Sequence, residues 1–303
     1  MPLVPLSDLL RNARREGYGV GYFEAWDVCS LEAVLEAAEE EAAPIILGFG
    51  GMMTDLQWLD NGGVELLGAM GKVVAQRARV PVSLLLNEAQ TFDQAVRGME
   101  AGFNAVMLDT SAWGWEEAIE SVARLTRLAH ARGVTVEAEV GRLPDATEDG
   151  IDASAAQRTD PARAAAFLAA TGADCLAVSI GNVHLLTAGY AAVDLALLEA
   201  IHRRVSVPLV LHGGTGLPPG CIPRAIACGV AKFNVGTLLK RSFLQGLQET
   251  VATWPPAVNV HDLLGSHKEA DLFTRAKAAM KASVRERIRL YGGSGRARKP
   301  PTV

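Results

Sequence analysis

Short apolar runs recur along the chain, each followed by a segment with helical spacing. They are GVGYF (19–23), PIILGF (44–49), VPVSLLL (80–86), AVMLD (105–109), VTVEAEV (134–140), CLAVSI (175–180), PLVLHG (208–213) and AKFNV (231–235). Their shortness and Val/Ile/Leu content predict buried strands. The segments between them are rich in Ala, Leu, Glu and Arg. LEAVLEAAEEEA and WEEAIESVARLTRLAHARG show the helical spacing most plainly, and the second closes on Gly133 as a C-cap. Eight even β–α alternations predict an α/β fold, a parallel (β/α)8 TIM barrel, in preference to a doubly wound sheet. Nothing reads as a linker, so residues 1–303 form a single domain, with 254–303 adding C-terminal helices after the eighth unit. The polar stretch 141–160, GRLPDATEDGIDASAAQRTD, follows a strand and reads as a long loop of the kind that forms lids.

Composition narrows the class. Hydrophobic residues make up 49% of the chain, enough for a large core, while aromatics are only 6%, which does not suit stacking on bases. The net charge of -5 is spread along the chain without a basic patch, so nucleic acid is not an expected partner. The basic tail GRARKPPTV reads as a solvated terminus, with an Arg or Lys reaching a neighbouring anionic site as the alternative. Cys29, Cys175, Cys221 and Cys228 lack metal-type CxxC spacing and read as free thiols, three of them in apolar or small-residue surroundings. No signal-peptide pattern and no run near the roughly 20 apolar residues needed to span a bilayer is present, so a cytoplasmic setting without membrane partners is expected.

In a barrel of this kind chemistry gathers where strands end. That edge carries Glu24, Asn87, Glu88, Asp109, Ser111, Glu139, His184, His212, Asn234 and Thr237. Imidazole and carboxylate together suit a divalent transition ion such as zinc, manganese, iron or cobalt. Each residue also has a plainer reading, a hydrogen-bonded structural histidine or, for Glu88, a cap on the helix starting near Gln90. HGGTG (212–216) and FNVGT (233–237) place glycines and a threonine hydroxyl at two adjacent turns after strands seven and eight, a common place for phosphate. The alternative there is a tight turn that needs glycine.

These motifs together resemble the class II, metal-dependent ketose-bisphosphate aldolases of the fructose- and tagatose-bisphosphate types. The likeness runs from LEAVLEAAEEEAAPIILGFGG through AGFNAVMLDTS, HARGVTVEAEVGRL and TEDGIDASAAQRTDPARAAAFLAATGADCLAVSIGNVH to VPLVLHGGTGLP, KFNVGT and AAMKASVRERIRLYGGSGRA. The resemblance implies a zinc-like ion that polarises the carbonyl of a ketose phosphate and stabilises an enediolate during C–C cleavage. It implies that His184 and His212 are metal ligands with Glu139 beside the metal. Asp109 and Ser111 match the family's strand-end Asp and Ser, and Glu148 in TEDG matches its loop glutamate, although LPDA before it lacks the usual glycines. Gly213, Thr215, Asn234 and Thr237 match substrate- and phosphate-facing positions, and Gly181, Gly214 and Gly236 belong to the same motifs. It also implies a small-molecule sugar or sugar-phosphate substrate and a homo-oligomer, dimer or tetramer.

The departures from the family fall in the active site. The family reads LDHG where this chain reads LNEA, so Asn87 replaces an acid–base aspartate and Glu88 replaces a metal histidine. Leu185 stands for a glycine, a lysine is missing from LLTAG, Gly236 stands for an acid or amide, and FEAWD (23–27) stands for an Asn-rich stretch. Glu88, His184 and His212 would form a two-His-one-carboxylate set, which moves preference from zinc towards manganese, iron or magnesium. Asn87 cannot exchange a proton near neutral pH, so Glu24, Asp27 or Glu148 would have to substitute. Three functions therefore remain open: a metal-dependent aldolase-type lyase, a diverged enzyme on an unphosphorylated or different hydroxy-carbonyl substrate, and a non-catalytic aldolase-like subunit.

Overall fold

The computed structural model describes residues 3–147, 150–152, 156–254 and 259–297. The strands are β1 (Val20–Glu24), β2 (Ile45–Gly50), β3 (Val82–Ala89), β4 (Ala105–Leu108), β5 (Thr135–Val140), β6 (Asp145–Thr147), β7 (Gly150–Asp152), β8 (Cys175–Val178), β9 (Leu209–Leu211) and β10 (Val230–Val235). The α-helices are α1 (Leu6–Glu16), α2 (Val28–Glu40), α3 (Leu56–Trp58), α4 (Val64–Gln76), α5 (Phe92–Ala101), α6 (Trp115–His130), α7 (Pro161–Thr171), α8 (Leu195–His202), α9 (Ile222–Ala227), α10 (Thr237–Ala252), α11 (Val260–Leu263) and α12 (Leu272–Leu290). All eight apolar runs become barrel strands, parallel and closed in the order β1-β10-β9-β8-β5-β4-β3-β2.

The alternation of side chains along each strand sorts them into two apolar layers. One lies between strands and helices and contains Phe23, Leu47, Leu84, Val106, Val136, Val178 and Phe233. The other fills the barrel interior with Tyr22, Ile46, Leu85, Cys175, Ala177 and Val210. Helix α1 closes the lower mouth by sending Leu6, Leu9 and Leu10 into that second layer. Its approach is fixed by the Val4 N–H donating to the Val82 carbonyl at 2.8 Å and the Asn104 amide donating to the Val4 carbonyl at 2.8 Å.

Several helix starts are set by side-chain caps. Asp27 and Ser30 form a reciprocal capping box on α2, the Ser30 N–H donating to Asp27 at 2.7 Å and the Asp27 N–H donating to Ser30 Oγ at 2.9 Å. Asp27 is thereby committed to a helix end and is not a stand-in acid–base. Thr91 caps α5, so Glu88 is free of the capping role its position allowed. Within the 141–160 stretch, β6 and β7 pair as a short antiparallel hairpin instead of open loop. The turn after β9 is a 3-10 turn, Gly214–Gly216, a second 3-10 turn follows at Pro219–Cys221, and an α-helix begins only at α9. Strand β3 runs past Leu86 to Ala89, with its register on β4 shifting between Leu86 and Ala89. Helix α12 lies against α10 and α2. Cys175, Cys221 and Cys228 are buried free thiols, and Cys29 is half-buried.

Candidate active site

The upper rim of the barrel gathers the residues read from the strand ends. Glu88 arrives from the irregular end of β3, with a left-handed backbone at φ 53°. A non-glycine residue held there costs about 1–3 kcal/mol and persists where surrounding structure demands it. The demand is visible: a Cβ on Gly51 would sit 2.6 Å from the Glu88 carbonyl oxygen, so β2 packs hard on this turn. His212 follows β9 and His184 follows β8. One donor atom from each of Glu88, His184 and His212 lies within 4.8 Å of the other two.

The rest of the trio's surroundings concern the nitrogens that face away from its centre. His212 Nδ1 is 3.0 Å from Glu88 Oε1, while its Nε2 is 2.9 Å from Glu137 Oε1. Glu137 in turn accepts from Lys232 Nζ at 2.8 Å, and both residues are fully buried in the barrel interior. Lys232 also donates to Asn234 Oδ1 at 2.6 Å, and the Asn234 amide donates to Asn87 Oδ1 at 3.4 Å. His184 Nε2 is 3.9 Å from Glu88 Oε1, and its Nδ1 is 3.5 Å from Asp145 Oδ1. The hairpin strand β6 pins that histidine through the Ala146 N–H to the His184 carbonyl and the His184 N–H to the Pro144 carbonyl, each 2.9 Å. Each imidazole thus turns one nitrogen to the centre and the other to a carboxylate, the outer arrangement that orients metal-bound histidines.

Charge follows from these contacts. Burial would raise the Glu88 carboxyl, but the hydrogen bond and charge of His212, with His184 and Lys232, hold it well below the usual carboxylate range. Burial would lower the His212 imidazolium, and Glu137 and Glu88 together overcome that and raise it. Burial would likewise lower His184, and the hydrogen bond of Asp145 with the charge of Glu88 outweighs it and raises the imidazolium. Burial pushes Glu139 up to about 7, with His212 and His184 only partly offsetting it. The donor set fits a divalent cation on chemical grounds. With Nε2–H directed at Glu137, His212 turns a lone pair toward a carboxylate oxygen, an arrangement that needs a proton or a cation between them.

The remaining candidates divide between two recesses. Asn87, Glu88, His184, His212, Gly213, Thr215, Asn234, Gly236 and Thr237 line the central one together with Glu24 and Tyr22. Ser111 and Glu139 line a neighbouring recess with Trp113, Trp115 and Arg142. Glu139 Oε2 is 3.8 Å from His212 Nδ1, so it stands beside the trio and not within it. Asp109 follows β4 and accepts the Ser111 N–H at 2.9 Å. Gly214 and Gly181 serve packing: a Cβ would lie 2.5 Å from the Asn234 carbonyl oxygen on the first and 2.4 Å from that of Ala192 on the second. Glu148 lies outside the described residues.

Glu137, Lys232, Asp145 and Tyr22 also belong to the site, although none stands out in the sequence on its own. The signal for two of them was present: VTVEAEV puts Glu137 and Glu139 two apart, and AKFNV does the same with Lys232 and Asn234, so each pair shares one strand face.

Comparison with known proteins agrees with this geometry. The family model for Fructose-bisphosphate aldolase class-II matches residues 4–296. A fructose-bisphosphate aldolase of Thermus caldophilus is 35% identical over 320 residues, covering 97% of this chain and 100% of the relative. A sulfofructosephosphate aldolase of Alkalicoccus urumqiensis is 33% identical, covering 96% of each. The crystal structure of the YdjI aldolase from Escherichia coli K12 superposes with a TM-score of 0.80 at 29% identity, covering 98% of this chain and 100% of that one. The chain belongs to the class-II fructose-bisphosphate aldolase family.

Proposed function

We propose that Glu88, His184 and His212 hold the divalent ion of an aldolase-type carbon–carbon lyase, in a two-His-one-carboxylate set. Lyase activity and dependence on a divalent metal are properties of the family. The observation that carries the reading is the convergence of the three donors within 4.8 Å, with Glu137 and Asp145 behind the two imidazoles. Bound by these three side chains, the ion would supply Lewis-acid polarisation of a substrate carbonyl. An anionic oxygen donor in place of one imidazole suits manganese, iron or magnesium as well as zinc or cobalt.

The chain's own groups do the rest. Asn87, tied to Asn234, offers its amide as a hydrogen-bond partner to a substrate hydroxyl and takes no proton. Proton transfer then falls to carboxyls: Glu139, buried and raised to about 7, and Glu148 of the 141–160 stretch. Asp109 holds the turn that carries Ser111. Gly213, Thr215, Asn234, Gly236 and Thr237 form the floor on which one end of the substrate rests.

The test is a metal-reconstituted enzyme offered small ketoses, with exchange of carbonyl-adjacent protons into deuterated water followed by NMR. Exchange that needs the ion and disappears in Glu88→Ala supports the reading. Exchange without metal would sink the metal-dependent reading, and no exchange with any metal and ketose would leave the non-catalytic alternative.

A further inference from the structure

The turns after β9 and β10 look like an anion cradle, yet a carboxylate of the chain already stands in it. Glu24, at the end of β1, accepts from Lys240 Nζ at 2.7 Å through one oxygen. Its other oxygen lies 2.1 Å from the place a Cβ on Gly236 would take, and a Cβ on Gly50 would come within 3.1 Å of the first. Two glycines, at the start of α10 and at the end of β2, therefore make the room this carboxylate occupies. The Glu24 side chain is only 14% exposed, so it lies in the wall of the recess and does not reach into solvent.

Side-chain cations that would hold a phosphate are also lacking. Among the described residues, neither lysine nor arginine lines the central recess. Lys240, one turn into α10, is neutralised by Glu24. The Thr215 hydroxyl accepts the Leu238 N–H at 3.1 Å, which uses one of the free N–H groups at the start of that helix. What the recess does offer is suited to hydroxyls. Glu24 accepts, the Asn87–Asn234 amides accept and donate, and the Tyr22 hydroxyl is buried without a partner in the same wall.

We infer that Glu24 is a specificity-determining residue that excludes a phosphate ester from this end of the site, and that the substrate presents an uncharged hydroxymethyl or polyol group there. A phosphate dianion resting on the Gly236 turn would face the Glu24 oxygen that Lys240 does not bind, where like charges repel, and Lys240, already paired with Glu24, offsets that repulsion only in part. A hydroxyl in the same place donates a charge-assisted hydrogen bond to Glu24. The inference rests on the lyase reading for the chemistry at the carbonyl, but the binding selectivity is a property of the recess alone.

Two measurements on the metal-loaded protein decide it. The first compares proton exchange into deuterated water for dihydroxyacetone and for its phosphate ester. The expected result is faster exchange of the neutral ketone, by about tenfold or more at equal concentration, and preference for the ester would overturn the inference. The second titrates inorganic phosphate calorimetrically at low salt into wild type and Glu24→Gln. We expect phosphate affinity to rise about tenfold or more in Glu24→Gln and to fall again with added salt. Equal affinity in the two proteins would overturn the inference. If neither ketone exchanged, the lyase reading would fail while the phosphate titration still decided this one.

Discussion

His212 is held between two carboxylates, 3.0 Å from Glu88 and 2.9 Å from Glu137, and that position defines the chemistry of the centre. Glu137 touches no open space, so it acts by orienting the imidazole and raising its basicity. Glu137→Gln is expected to weaken divalent-metal binding by about 10–100-fold while preserving one ion per chain, as titration calorimetry and elemental analysis would show. Glu139→Gln should behave oppositely, keeping the metal and losing about 10²–10⁴-fold in proton exchange. Retained exchange with lost metal would reassign Glu139 to the ligand set. Glu88, His184, His212 and Asn87 were legible in sequence because each sits where an apolar run stops. Glu137 and Lys232 were not, because a charged residue inside a strand gives no sign of its partner until closure brings β5 and β10 across the barrel from each other. Glu24 was visible as a strand-end acid, but the two glycines that accommodate it lie on β2 and at α10, and only the fold joins them.

At the scale of elements, the C-terminal helix is clasped to α2 by a row of ion pairs. Lys277 and Lys281 reach Glu32, Glu36 and Glu40, and Arg285, Arg289 and Ser294 converge on Glu41. Most of these pairs are partly exposed at the surface and each contributes about 1 kcal/mol or less. Glu41 differs, with its side chain 7% exposed and the guanidinium groups of Arg289 and Arg285 holding its carboxyl down to about 2. A depressed carboxyl pKa stabilises the fold above the unfolded value near 4.3, and that contribution disappears as pH falls towards 2. Glu41→Gln should therefore lower stability to urea at pH 7, and the gap to wild type should close between about pH 4.5 and pH 2. A gap unchanged over that range would show that Glu41 matters for packing and not for charge. The helices themselves were legible from their spacing. Their mutual approach was not: Gly246 lets α10 come so close to α12 that a Cβ would meet the Ala276 Cα at 2.8 Å, a fact of two surfaces that one helical pattern does not encode.

The whole molecule combines an apolar barrel with an ionic column through its axis, from Lys232 through Glu137 and His212 to Glu88. Removing Lys232 leaves the buried Glu137 carboxylate with His212 alone to offset its charge, so Lys232→Met should cost up to about 3–5 kcal/mol in chemical denaturation. The double change Lys232→Met with Glu137→Gln should recover much of that loss, and no recovery would mean that packing, not charge, set the cost. The barrel was legible as eight alternations, and closure followed from their number. The column depends on register between strands distant in sequence, which periodicity cannot supply. In the proposed two-His-one-carboxylate centre, Glu88 is the third metal ligand. Crystals soaked in zinc, with anomalous diffraction recorded at the zinc edge, test it most directly. The expected result is one ion within about 2.0–2.3 Å of a Glu88 carboxylate oxygen, His184 Nε2 and His212 Nδ1. An ion bound by the two histidines with Glu88 turned away, or bound elsewhere in the barrel mouth, would contradict it.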